Sequence, residues 1–246
     1  MGGMIGEETR DADLTKFLKK YGYMDHDIIV FQEIVDIIRL KENVLQNKFK
    51  CRSYFHRDTK HLHVVVCYKP EFTFSRDRDD NYELESVKVG STRLRPAVHG
   101  IIKLRSHELV RIIGVHLKAS PQNSERRLRQ IEQIASHMDR VDTAIPTVIT
   151  GDFNSFHDDI EVFSDIFGDF NMSHVPHLDE FTFQSDRYKN QLDHFWASDE
   201  ISQTSMTDTF NTCSNAGNEG RGVTNRPYFN RRLSDHCPIS TVVNLQ

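Results

Sequence analysis

Five short polar clusters close strand-length apolar runs in this chain: Gln32-Glu33, Val115-His116-Leu117-Lys118, Gly151-Asp152-Phe153-Asn154, Leu192-Asp193-His194 and Ser234-Asp235-His236. Residues at strand ends sit where loops from several strands can converge on one point. The carboxylates of Glu33, Asp152 and Asp235 and the amide of Asn154 are oxygen donors. Such a set favours a hard cation, Mg²⁺ or Mn²⁺, whereas zinc more often gathers several His or Cys. A histidine beside a carboxylate can exchange a proton with water near neutral pH.

Each cluster also has a structural reading when taken alone. Asp235-His236 suits a turn, Glu33 suits the first turn of the helix that follows, and Asn154 suits an Asx-turn. His61 and His63 alternate along a strand and read as a solvated face. His174 and His177 lie in a loop with no third ligand at a defined spacing and read as surface residues. Arg126, Arg127 and Arg129 read as the polar face of a helix, and Trp196 with the Phe-rich stretches as core.

The elements that must position these residues follow from periodicity. Helical spacing marks residues 11–21 and 36–48, and most clearly 124–141, where Ser124 is the expected N-cap and Leu128, Ile131, Ile134, Ala135 and Met138 share one face. A further helix is expected over 159–167. Strand patterns cover 27–31, 51–55, 62–68, 82–89, 97–104, 109–117, 147–150, 181–183, 192–197 and 238–243. Residues 211–234 are rich in Asn, Gly and Arg and read as a long mobile loop. Many strands with interspersed helices, lacking regular β-α-β alternation, indicate an α+β sandwich in a single domain over 1–246.

Composition narrows the function. With 37% hydrophobic residues in 246, the chain can bury a core. No apolar run approaches the ~20 residues of a spanning helix, so no stable membrane association is expected. The balance of 31 Lys+Arg against 36 Asp+Glu, net -5, gives no broad positive field, and a polyanionic substrate needs local arginines and a metal. The cysteines Cys51, Cys67, Cys213 and Cys237 form no C-x-x-C pair. Cys51 and Cys67 lie on neighbouring strand-like runs, where a disulfide forms only in an oxidising compartment. No signal peptide is visible at the start; localisation stays open, with secretion compatible.

Taken together and in order, Ile29-Val-Phe-Gln-Glu33, Gly114-Val-His-Leu-Lys118, Val148-Ile-Thr-Gly-Asp-Phe-Asn-Ser155, Gln191-Leu-Asp-His-Phe195 and Leu233-Ser-Asp-His-Cys-Pro238 resemble the endonuclease/exonuclease/phosphatase superfamily, which contains deoxyribonuclease I and exonuclease III-type enzymes. The resemblance spans about residues 11–243. It implies a four-layer α/β/β/α sandwich: two mainly antiparallel sheets face to face, helices outside, and an active site at one edge.

By position it implies that Glu33 binds the metal, that Asp152 and Asn154 flank metal and phosphate, and that Asp235 completes the metal and water environment. His236 would be the base, oriented by Asp193, and His116 would donate to the phosphate. Two departures stand out. The superfamily's first strand, ending in a metal-site Asn, has no counterpart before the first helix, so the chain reads as lacking it. Leu94 stands where a phosphate-contacting Arg is usual. Arg93 and Arg95 flank it, and Arg95 is the favoured of the two.

The implied function is a Mg²⁺-dependent phosphodiesterase acting on nucleic acid, DNA ahead of RNA, as a monomeric endonuclease of low sequence specificity. A phosphoinositide phosphatase or sphingomyelinase of the same superfamily is the main alternative, and a truncated inactive member is the third.

Overall fold

The computed structural model describes residues 7–54, 62–76, 83–84, 94–178, 181–184, 189–202, 205–209 and 234–245. Its helices are α1 Glu7–Lys20, α2 Ile37–Arg39, α3 Ser124–Met138, α4 His157–Gly168 and α5 Asp199–Ser202. The strands begin with β1 Ile28–Ile34, β2 Lys50–Ser53, β3 His63–Tyr68, β4 Thr73–Ser75, β5 Glu83–Leu84 and β6 Ala97–Lys103. They continue with β7 Leu109–His116, β8 Thr147–Asp152, β9 Met172–His174, β10 Phe183–Gln184, β11 Lys189–Asn190 and β12 Asp193–Ser198.

Alternation along the strands builds the layers, because successive side chains point to opposite faces of a sheet. On β3, Val64, Val66 and Tyr68 pack with Val98, Ile102, Val110, Ile112 and Val148 of a second sheet, forming the core between sheets. The intervening Val65 and Cys67 turn outward to Phe17 and Leu18 of α1 and to Leu40 and Val44. The second sheet alternates in the same way. Ile113, Val115, Ile149 and Trp196 face away from the first sheet and meet Ile131, Ile134 and Met138 of α3 and Phe163 and Phe167 of α4. Four layers result: helix, the three-stranded sheet β1-β3-β2, the seven-stranded sheet β4-β6-β7-β8-β12-β9 with β5 beside β6, and helix. Among the described residues only β7 and β8 pair in parallel within the second sheet, and α3 makes their crossover. This is the α+β sandwich expected.

Several local expectations need correction. The second helical segment is one α-turn, α2, with Asp36 accepting from the Arg39 N–H, and it continues over Leu40–Val44 as a wider π-type turn. Glu33 therefore does not cap it. Asn123, not Ser124, is the residue before α3. Residues 238–243 form no strand; Ser240 makes a single bridge to Asp208. His63 is buried rather than solvated, its Nδ1 lying 3.1 Å from the Tyr54 carbonyl.

Arg127 is also fully buried, because α4 packs against that side of α3. Its Nη2 and Nε donate to Asp159 Oδ2 at 2.7 and 3.1 Å, and its Nη1 donates to the carbonyls of Ser120 and Lys118. That arginine thus ties down the loop that follows His116. Cys51 and Cys67 sit opposite each other on β2 and β3 and are joined by a disulfide, with Cα atoms 4.0 Å apart. Residues 1–6, His61, most of 82–89, Arg93 and 210–233, with Cys213, lie outside the described residues.

Candidate active site

Strand register assembles the centre of the site. His116, at the end of β7, lies opposite Asp152 of β8, and Asp152 lies opposite Asp193 of β12. Three residues separated by 36 and 41 positions in sequence thus share one level at the sheet edge, on the face that looks into the inter-sheet layer. Gly151 permits this close approach. Its φ is +139°, and a Cβ there would stand 2.1 Å from the Val115 carbonyl oxygen.

His236 completes a dyad with Asp193. Its Nδ1 lies 2.8 Å from Asp193 Oδ2, and its Nε2 is 3.8 Å from Asp152 Oδ2. Burial on its own lowers the His236 pKa, but the adjacent charges of Asp193, Asp152 and Asp235 and the bond to Asp193 outweigh it and raise the value to about 10. Thr182 fixes the carboxylate. The buried hydroxyl donates to Asp193 Oδ2 at 2.8 Å and accepts the N–H groups of Leu192 and Asp193 at 3.0 Å. Nothing in the local Phe-Thr-Phe sequence marks Thr182 as a positioning residue; only the pairing of residue 182 with the β11–β12 segment reveals it.

Asp152 is buried and accepts from the Asn154 N–H at 2.8 Å and from Asn154 Nδ2 at 2.9 Å. Burial and the nearby Asp193 carboxylate push its pKa up to about 7, against the opposing pull of His236, Asn154 and Arg95. Asn154 adopts φ +48°, a left-handed conformation that Asn tolerates better than most residues. This turn aims its Nδ2 at both Asp152 and the Leu117 carbonyl. The Asn154 donor is thus spent inside the protein.

Arg95 is the cation of the site. Its Nη2 donates to Glu33 Oε1 at 3.1 Å and its Nη1 donates to His116 Nε2 at 3.0 Å. Leu94, the residue between the two arginines, turns into the core. Glu33 reaches this position from a register break in β1, with φ +59°, a costly conformation for a residue with a Cβ and one concentrated at functional sites. His116 Nε2 stands between the Arg95 guanidinium at 3.0 Å, a contact that uses its lone pair, and Asp152 Oδ2, a contact that uses its proton unless that carboxyl carries one. Burial, with Arg95, His236 and Lys118 nearby, holds His116 well below its ordinary pKa, in the neutral form. Its Nε2 lies 3.2 Å from Asp152 Oδ2, so Asp152 is the acidic neighbour that the sequence alone did not reveal.

Donor atoms of Asp152, Asp193 and His236 lie within 4.8 Å of one another. Two buried carboxylates this close, one with a raised pKa, make a set that a hard divalent cation would neutralise, and the donors fit Mg²⁺ or Mn²⁺ chemistry. Glu33 adjoins this set through Arg95. Asp235 does not join it; its side chain is exposed and acts on His236 through charge.

A sequence profile of the Endonuclease/Exonuclease/phosphatase family matches residues 5–236. The chain belongs to this family. No curated protein gives a sequence match, whereas solved structures match in fold. An endonuclease/exonuclease/phosphatase from Bacteroides vulgatus superposes with TM-score 0.66 at 14% identity, covering 96% of this chain and 90% of that one. A truncated Caenorhabditis elegans TDP2 gives TM-score 0.64 at 13% identity, covering 98% and 93%. D. rerio TDP2 complexed with single strand DNA product gives 0.63 at 11% identity, covering 84% and 83%. At these identities the likeness establishes the fold of the family.

Proposed function

We propose that this chain is a divalent-cation-dependent phosphodiesterase that hydrolyses nucleic acid, DNA ahead of RNA, as an endonuclease with little sequence specificity. One observation carries the reading: the Asp193–His236 pair stands beside buried Asp152, with the Arg95 cation and neutral His116 next to it. That arrangement combines a proton-transfer group with positive potential for a phosphate. The zebrafish TDP2 relative holding a single-stranded DNA product supports a nucleic-acid substrate.

In this reading Arg95 is the phosphate contact, released toward substrate from its bridge between Glu33 and His116. Asp152 and the Asn154 side-chain oxygen, with Glu33 alongside through Arg95, would hold Mg²⁺ or Mn²⁺, and Asp235 would add charge without ligating. When bound, the ion supplies charge neutralisation and polarises a phosphate oxygen. Asp193 keeps the Nδ1 proton of His236 in place, and because the ring holds its second proton up to about pH 10, Nε2 is the atom that gives a proton to the leaving oxygen. Thr182 holds the Asp193 carboxylate against that ring. The protein acts as a monomer, and its Cys51–Cys67 disulfide suits an extracellular or other oxidising setting.

A substrate panel tests the assignment. Supercoiled plasmid, structured RNA, sphingomyelin vesicles and a phosphoinositide are each incubated with the chain and Mg²⁺. Plasmid nicking ahead of RNA cleavage supports the reading, and turnover of a phospholipid with neither polymer cut overturns it.

A further inference from the structure

A second cluster lies on the other face of the large sheet. His194 follows Asp193 on β12 and therefore points away from the catalytic side, toward Phe153 and Trp196. The pairing of β9 with β12 sets His174 opposite Trp196, and His177 follows one helical-turn length later in sequence. Nε2 of His174 lies 2.9 Å, and Nε2 of His177 3.1 Å, from the same atom, Nδ1 of His194.

Proton accounting makes this convergence unusual. His194 Nε2 contacts the Gln191 carbonyl at 3.1 Å. A carbonyl only accepts, so Nε2 carries the ring proton and Nδ1 presents one lone pair. Two imidazole nitrogens converge on that one lone pair, as ligands around one shared cation do. A cation among the three nitrogens satisfies all of them at once. In a tetrahedral site with metal–nitrogen bonds of ~2.0–2.1 Å, ligand nitrogens stand about 3.3 Å apart, close to the separations here. The Gln191 carbonyl and the Ser155 hydroxyl, 2.9 Å from His194 Nε2, orient the ring as outer partners of metal-bound histidines do.

We propose that His174, His177 and His194 form a binding site for one borderline transition-metal ion, with Zn²⁺ as its reference occupant, separate from the carboxylate-rich catalytic centre. Among the described residues its donors are three imidazoles and no carboxylate, a chemistry that suits Zn²⁺, Co²⁺ or Ni²⁺ over Mg²⁺. His174 and His177 are partly exposed, which leaves a fourth position for water. Burial and the mutual proximity of these rings also push His174 down to about 4 and His194 well below its ordinary value, the neutral state that ligates. An ion here clamps β9 to β12 and braces Ser155, the neighbour of Asn154. The site is independent of the nuclease reading and corrects the view of His174 and His177 as unassociated surface residues.

The full chain, stripped with EDTA and dialysed against Zn²⁺ in the presence of millimolar Mg²⁺, is assayed for bound metal, and Co²⁺ is then substituted as an absorbing probe. One Zn²⁺ per chain, visible Co²⁺ bands of a tetrahedral nitrogen site, and loss of both in His177→Ala and His174→Gln support the proposal. Asp152→Asn/His236→Gln must keep the stoichiometry, which separates this site from the catalytic one. Far-UV circular dichroism of the metal-free variants checks that they fold, and if one does not, the other decides. No stoichiometric Zn²⁺ in the parent chain, full retention in a folded histidine variant, or loss only in Asp152→Asn/His236→Gln overturns it.

Discussion

Asp193 and His236 face each other carboxylate to ring, Oδ2 to Nδ1 at 2.8 Å, although 43 residues separate them in the chain. Asp193 is fixed by strand β12 and by Thr182, whereas His236 comes from the segment after residue 233, tied by the Cys237 N–H to the Thr182 carbonyl. Thr182 thus anchors both partners. Replacing Asp193 by Asn keeps the shape but removes the charge that holds the ring proton on Nδ1. Loss of the equivalent charge in a histidine dyad costs on the order of a thousandfold or more in turnover. Steady-state kinetics of Asp193→Asn is expected to show that loss in kcat with little change in KM, and a loss below tenfold contradicts the role.

The raised pKa of His236 has a definite sign in stability. The folded state holds the proton up to about pH 10, whereas the ordinary value is 6.5. The resulting stabilisation is fully present below 6.5 and is lost as pH rises through 10. Asp152, raised from 3.8 to about 7, slopes the same way at lower pH. In EDTA, the stability advantage of the parent chain over His236→Gln in urea unfolding is expected to shrink steadily from pH 6.5 to 10. A difference that grows with pH contradicts the dyad.

Arg127 and Asp159 form a buried ion pair under the loop after His116. Truncation of Arg127 to Ala leaves a carboxylate buried without its partner, which costs about 3–5 kcal/mol. Lysine restores charge but not the forked geometry that reaches Asp159, Lys118 and Ser120 together. Chemical denaturation is expected to rank parent, Arg127→Lys and Arg127→Ala in that order, and a cost below about 1 kcal/mol for Arg127→Ala contradicts the arrangement.

Two glycines with positive φ separate strain from crowding. Gly22 has φ +75° and open space around a built Cβ, so Gly22→Ala carries only the left-handed penalty of about 1–2 kcal/mol. Gly151→Ala adds a clash with the Val115 carbonyl at the strand end that carries Asp152. Thermal unfolding is expected to show a clearly larger loss at Gly151, about 3 kcal/mol or more, accompanied by lost activity. Equal shifts at the two positions contradict the close approach.

Much of the candidate site was legible because its residues end strands and so rest on local signals. Polar residues that end apolar runs, as at His116, Asp152 and Asp193, declare strand ends, and alternation along Val64–Tyr68 declares a strand with two covered faces. Arg93 and Arg95 were both legible as flanking Leu94, one of them near the site whichever way the strand is registered; Arg95 lies against Glu33 and His116, and Arg93 lies outside the described residues. What stayed hidden depends on tertiary pairing. Arg127 reads as solvated on a helical wheel, and only α4 packing over that face buries it. His194 gains His174 and His177 only because β9 pairs with β12. Residues 238–243 carry an apolar pattern, yet Ser240 finds just one bridging partner in Asp208 among the described residues, so the pattern produces no strand.

The central claim is cation-dependent phosphodiester hydrolysis at the Asp152, Asp193 and His236 centre. Supercoiled plasmid nicking is the most direct measurement, made for the parent chain and Asp152→Ala/His236→Ala, each with Mg²⁺ and with EDTA. Nicking by the parent in Mg²⁺ alone, and by neither protein in EDTA nor by the variant in Mg²⁺, is the predicted result. Nicking that persists in EDTA, or that the folded variant retains, would contradict the account.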